Sequence, residues 1–211
     1  PLLSAVARTP IPLVDYSGQQ SRYLIVSERL VPNPEREIDH FPFARKELVL
    51  QLADGSRERV LLHGTATMEV GIDTAGTAAD TDGDGRDQVP TELTALNLTG
   101  TSSLGPVTVG LNPLRPSLGE IEELVNNTPG TLDLPPFTAT GAAFSFFDVF
   151  LQVEVGGRVL VAAGVERLRA VITHKPAAPG ETYSTPSDMY PIALVDPNAW
   201  YPSGQANGTQ Y

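Results

Sequence analysis

Short apolar runs that alternate with polar residues, each closed off by glycine or proline, constrain this chain more than any other feature. Phe147, Val149, Leu151, Val153 and Val155 fall on one side of a two-residue period, with Asp148, Gln152 and Glu154 on the other. That is the period of a half-buried strand, not of a helix. Leu48, Leu50 and Leu52 repeat the pattern, Ala53-Asp54-Gly55-Ser56 follows, and an apolar run resumes at Val60. Asp-Gly between two alternating runs is a hairpin signal. Thr65–Ile72, Leu93–Leu98, Val107–Leu111, Val159–Val161 and Leu168–Ile172 read as further strands, and Gly156-Gly157 suits a tight turn between two of them. With 19 Gly and 19 Pro spread through 211 residues, long helices have little room.

The expected fold is therefore all-β: an antiparallel β-sandwich of jelly-roll or immunoglobulin-like type, the usual way to bury this many alternating strands. One interruption is expected. Ser117-Leu118-Gly119-Glu120 has capping-box spacing and Ile121, Leu124 and Val125 form a helical stripe, so the pattern predicts a short helix near 118–125.

The two ends differ from the middle. Residues 1–20 and 176–211 are rich in Pro, Gly, Ser and Asn without a sustained period, and are expected to be extended arms flanking a single domain over 21–175. Leu2, Leu3, Val6, Ile11 and Leu13 at one end, and Trp200 and Tyr201 at the other, are the candidate anchors. Such arms either wrap their own domain or add a strand to a neighbouring copy by strand exchange.

A formal charge of −11 disfavours nucleic-acid phosphates and anionic membranes as partners, and no Lys/Arg run offsets it. Apolar runs such as Val159–Val165 fall far short of the roughly 20 residues a membrane helix needs. With no cysteine, disulfides and thiolate chemistry are excluded. The chain opens on Pro1 without an initiator methionine, which fits a matured secreted protein, so an extracellular or cell-surface location is expected.

The chemistry concentrates in Asp80-Thr81-Asp82-Gly83-Asp84-Gly85. Calcium takes six to eight hard oxygens, and carboxylates on alternate residues around a turning glycine supply them from a short loop. Counting Asp80 as position 1 places Asp82 at 3, Asp84 at 5, Gly85 at 6 and the backbone carbonyl of Arg86 at 7. Position 12 is Thr91, with Glu92 one place late and Asp87 at position 8, so the second half departs from that pattern. On Asp80, Asp82, Asp84 and Gly85 the segment resembles the calcium loops of EF-hand-like, dockerin and thrombospondin type 3 repeats. The resemblance spans about a dozen residues. It implies Ca2+ held by Asp80, Asp82 and Asp84 within a loop over 80–92, completed by Glu92, Asp87 or Asp73. Asp and Gly are also ordinary turn formers, but three crowded carboxylates repel one another in a way no turn requires.

Other candidates carry less. His40, His63 and His174 lie in separate segments without metal-ligand spacing. Asp39-His40 lacks a nucleophile signature. Asp148 among Phe144, Phe146 and Phe147 suggests a carboxyl of raised pKa, or more simply a partner for Arg167 or Arg169 across a ladder. Asn97, Asn126 and Asn207 open glycosylation sequons. These observations favour a secreted calcium-binding structural protein, a self-assembling subunit of a filament, sheath or surface matrix, and not an enzyme. The alternative is a calcium-dependent carbohydrate-binding or adhesin module with Tyr183, Tyr190, Trp200 and Tyr201 as its platform.

Overall fold

The computed structural model describes residues 36–52, 54–185 and 193–197. Its ten elements are all strands: β1 (Glu37–Gln51), β2 (Arg57–Val70), β3 (Gln88–Ser102), β4 (Gly105–Leu111), β5 (Ser117–Glu123), β6 (Ala143–Val149), β7 (Leu151–Val155), β8 (Arg158–Ala162), β9 (Glu166–Ile172) and β10 (Leu194–Val195). They form one antiparallel sheet. β1, β2 and β3 are consecutive long neighbours. Beyond them the chain runs in broken ribbons. β4 and β5 lie end to end along the same edge of β3, with Leu98 opposite Val109 and Leu93 opposite Ser117. β7 and β6 then pair with β4 and β5, and β8 and β9 with β7 and β6.

This corrects the expected sandwich. The strands alternate as foreseen, but they belong to one continuous open sheet and not to two packed ones. No ladder joins β1 to β9, yet side chains bridge this gap: Lys46 pairs with Glu166, and the ammonium of Lys175, three residues past β9, lies 2.8 Å from Glu37 and 2.9 Å from Asp39. Five flat ladders at the usual spacing would hold β1 and β9 roughly 24 Å apart. The open sheet must therefore bend to let these pairs form.

One apolar cluster lines the inward face, with Leu50, Leu62, Val70, Val89, Val109, Ile121, Phe147, Val153, Leu160 and Ile172 drawn from successive strands. The segment after β9 closes over it. Tyr183 packs on Phe147 with ring centroids 5.6 Å apart and donates to Ser145 Oγ at 2.9 Å, and Ser184 pairs with Arg169 on the outer edge of β9.

The expected helix near 118–125 is also corrected: Ser117–Glu123 is β5, held between β3 and β6. The capping-box residues are engaged elsewhere. Ser117 Oγ accepts from the Phe150 amide, and Glu120 and Glu122 stand opposite Pro90 and Gln88 with little exposure. Two flanking ladders outweigh a weak local preference of a few tenths of a kcal/mol per residue. The run at Thr65–Ile72 is likewise no separate strand; as far as Val70 it continues β2 from Arg57. Asp39 and His40 lie within β1.

Candidate metal centre

The aspartate loop connects β2 to β3, which remain paired to its mouth: Val70 stands opposite Thr91, and the Gly71 amide donates to Pro90 O at 2.9 Å. A second tie at its base pairs Ala79 with Gln88. The Gln88 amide is satisfied when its oxygen accepts from the Thr81 hydroxyl at 2.7 Å and its nitrogen donates to Arg86 O and Ala79 O at 2.8 and 3.0 Å. The loop is thus fixed at both ends by backbone and by one side chain.

Within it, Asp80 organises the turn. Its Oδ1 accepts from the Gly83 and Asp84 amides at 2.7 and 3.1 Å, and its Oδ2 from Gly85 at 2.9 Å. Gly85 has φ +92°, a left-handed value that a residue with a Cβ resists, so glycine is required at the sixth position. The result brings one carboxylate oxygen each from Asp80, Asp82 and Asp84 within 4.8 Å of one another, all on exposed residues. A hard cation of calcium's size fits between oxygens so spaced.

Of the further ligands expected, Arg86 follows the cluster directly. Its guanidinium pairs with Asp84 and, at 2.7 Å, with Glu122 on β5. The hydrogen bond to Asp84 raises its pKa further. Asp87 points away: it is buried, and its Oδ2 accepts from the Gly130 amide at 2.6 Å. Glu92 sits on β3 opposite Glu69 and Leu118; burial first, then the Glu69 charge, lift its pKa. Asp73 caps its own turn, accepting from Ala75 and Thr77.

Sequence reasoning missed the base on which the loop rests. Glu123, fully buried, accepts from the Asp87 amide through Oε1 and from the Asp133 amide through Oε2, both at 3.0 Å. Burial raises the Glu123 pKa, and the Asp87 and Asp133 charges add to it. Asp133 is also buried, but the Asn127 and Thr128 amides donating to it outweigh desolvation and lower its pKa. These carboxylates fasten loop 71–87 to loop 124–142, with added ties from Ala78 to Gly130 and Leu132 to Gly76. No motif marks them, because acceptors for backbone amides come from distant parts of the chain.

The other candidates are dispersed. His40 meets Thr67, His174 meets Thr173, and His63 lies on the exposed face of β2. Asp148 is clamped by Arg167 at 2.7 and 2.5 Å, with that guanidinium also 4.7 Å from the Phe146 ring centre. Tyr183 is turned inward and its pKa is pushed up by burial to about 12. Leu2, Leu3, Val6, Ile11, Leu13, Tyr190, Trp200 and Tyr201 lie outside the described residues.

No family model and no curated protein matches the chain. Among solved structures, its fold is similar to that of DynF from the dynemicin biosynthesis pathway of Micromonospora chersina, at 18% identity and a TM-score of 0.51 over 77% of this chain and 78% of that one.

Proposed function

We propose that this protein is a calcium-binding structural protein of the extracellular or cell-surface space, a self-assembling subunit whose aspartate loop is braced by the ion. The observation that carries the reading is the gathering of Asp80, Asp82 and Asp84 oxygens within 4.8 Å on a loop whose turn is already formed. Mutual repulsion of three carboxylates opposes that arrangement, and a dication reverses its sign. The ion would brace the turn of the loop that joins two long strands, β2 and β3, beyond the end of their ladder. A non-catalytic role is supported by the use of the acidic groups near the loop: Asp87, Glu123 and Asp133 hold backbone amides.

Calcium titration of the full chain by calorimetry and thermal melting tests the reading. At about a hundredfold excess over Kd, binding adds about 2.7 kcal/mol, which raises Tm by roughly 5–10 °C for a chain of this size. Asp80→Asn combined with Asp82→Asn and Asp84→Asn is expected to abolish the shift. A wild-type melt unmoved by millimolar calcium refutes the calcium assignment.

A further inference from the structure

We propose that the outer face of the β1–β2 hairpin docks the aspartate-loop end of a second copy, giving a head-to-tail contact. Cross-strand pairs on this face set Arg45 beside His63, Glu47 beside Leu61, Val49 beside Arg59 and Gln51 beside Arg57. The intervening residues Leu50, Val60 and Leu62 point into the core. In an acidic chain this face therefore carries three arginines around two exposed apolar side chains, Val49 at 49% and Leu61 at 42%. Glu47 is the one carboxylate among these eight residues, and Arg59 lies 3.4 Å from it. Asp54 adds an anion in the turn beyond.

The complement lies at the far end of the same hairpin. β2 runs from Arg57 to Val70 and delivers the chain to Asp80, Asp82 and Asp84. Beside that loop, linked to it by the Arg86 bridge to Asp84 and Glu122, Leu124 and Val125 stand exposed at 42% and 62%. One end thus presents an apolar pair among guanidinium groups, the other three exposed aspartates, with an exposed apolar pair on the segment that follows β5. The two are separated by the length of a fourteen-residue strand, so one copy cannot satisfy its own complement. A second copy can, and a contact between different patches repeats without closing unless a rotation returns it to its start.

This inference rests on the self-assembly reading and names its surface. It also gives calcium a second effect: the ion lowers the formal charge of the three aspartates from about −3 to about −1, so the contact is tighter without it. The test is sedimentation velocity of the full chain in low salt with chelator, then with millimolar calcium. Wild type is expected to associate with rising concentration, and Arg57→Glu/Arg59→Glu or Asp82→Lys/Asp84→Lys to weaken association about tenfold or more. Mixing the two variants restores a contact between reversed charges, which a merely misfolded variant would not do; circular dichroism confirms that each is folded. Association unchanged in both variants, or no recovery on mixing, overturns this surface while leaving self-assembly standing. A wild type that stays monomeric at every concentration overturns both.

Discussion

Replacing Lys175 by methionine tests whether charge holds the two ends of the sheet together. Its side chain has no exposure, and it reaches Asp39 at 2.9 Å and Glu37 at 2.8 Å across 136 residues of sequence in the first case. The two partners are unequal. Glu37 is 47% exposed and regains water when the pair is lost, so Glu37→Gln should cost about 0–1 kcal/mol. Asp39 has 4% side-chain exposure, and its Oδ2 already lacks a hydrogen-bond partner. Without the ammonium it is a buried charge with nothing opposite, so Lys175→Met should cost about 3–5 kcal/mol at neutral pH. Burial already raises the Asp39 pKa, with Lys175 offsetting part of that rise. In the variant the carboxyl takes up a proton more readily, and the cost shrinks as pH falls. Asp39→Asn added to Lys175→Met should recover most of the loss, because a neutral pair leaves no stranded charge. Urea denaturation of the four proteins gives the energies directly. A cost below 1 kcal/mol for Lys175→Met, or an equal cost for Glu37→Gln, refutes the argument.

Gly64→Ala should be among the most damaging small changes in the sheet. Its Cβ would fall 1.8 Å from Asn97 O in the partner strand, so β2 and β3 must separate there. A loss of about 3 kcal/mol, at the upper end of overpacking costs, is expected in urea denaturation. Stability should also respond to pH with two opposite signs. Asp39, Glu92 and Glu123 have raised values, chiefly through burial, so their contribution is full below the ordinary 3.8 or 4.5 and is lost as pH rises through the folded value. Asp73, Asp133 and Glu181 are lowered: hydrogen bonds from Thr77 lead at Asp73, while at Asp133 and Glu181 amide and hydroxyl donors overcome desolvation. Their contribution is present above the ordinary value and lost as pH falls through the folded one. In calcium-free buffer the urea midpoint should rise as pH falls from 7 toward 4.5, then drop below 3.8. A midpoint falling steadily from pH 7 downward refutes the assignment of the raised group.

Strand positions were legible where alternation met a turn signal, and illegible where tertiary pairing decided. Leu48, Leu50 and Leu52 with the Asp54-Gly55 turn located the first hairpin, though β1 extends back to Glu37 through Pro42, which a central strand would not accept but an edge strand can. Sheet number was hidden for a geometric reason. Alternation shows which side chains leave the water, not whether they meet a second sheet or another part of the same one bending over. Glu37, Asp39 and Lys175, whose pairing draws the ends together, bear no signal of that role in sequence.

The aspartates illustrate the same division at shorter range. Asp80, Asp82, Asp84 and Gly85 were readable because the hydrogen bonds that close their turn are local, running from the Gly83, Asp84 and Gly85 amides to Asp80. Asp87, three residues beyond Asp84, is governed by Gly130 and by Glu123, distant partners that its place in the loop does not reveal. Glu122 and Glu123, adjacent in sequence, face opposite sides of β5: one meets Arg86 near the loop surface, the other two amides beneath it. A helix would have placed both near solvent at its start. The extended backbone instead puts one above and one below the loop, which is how a strand can steady an acidic turn without adding a ligand to it.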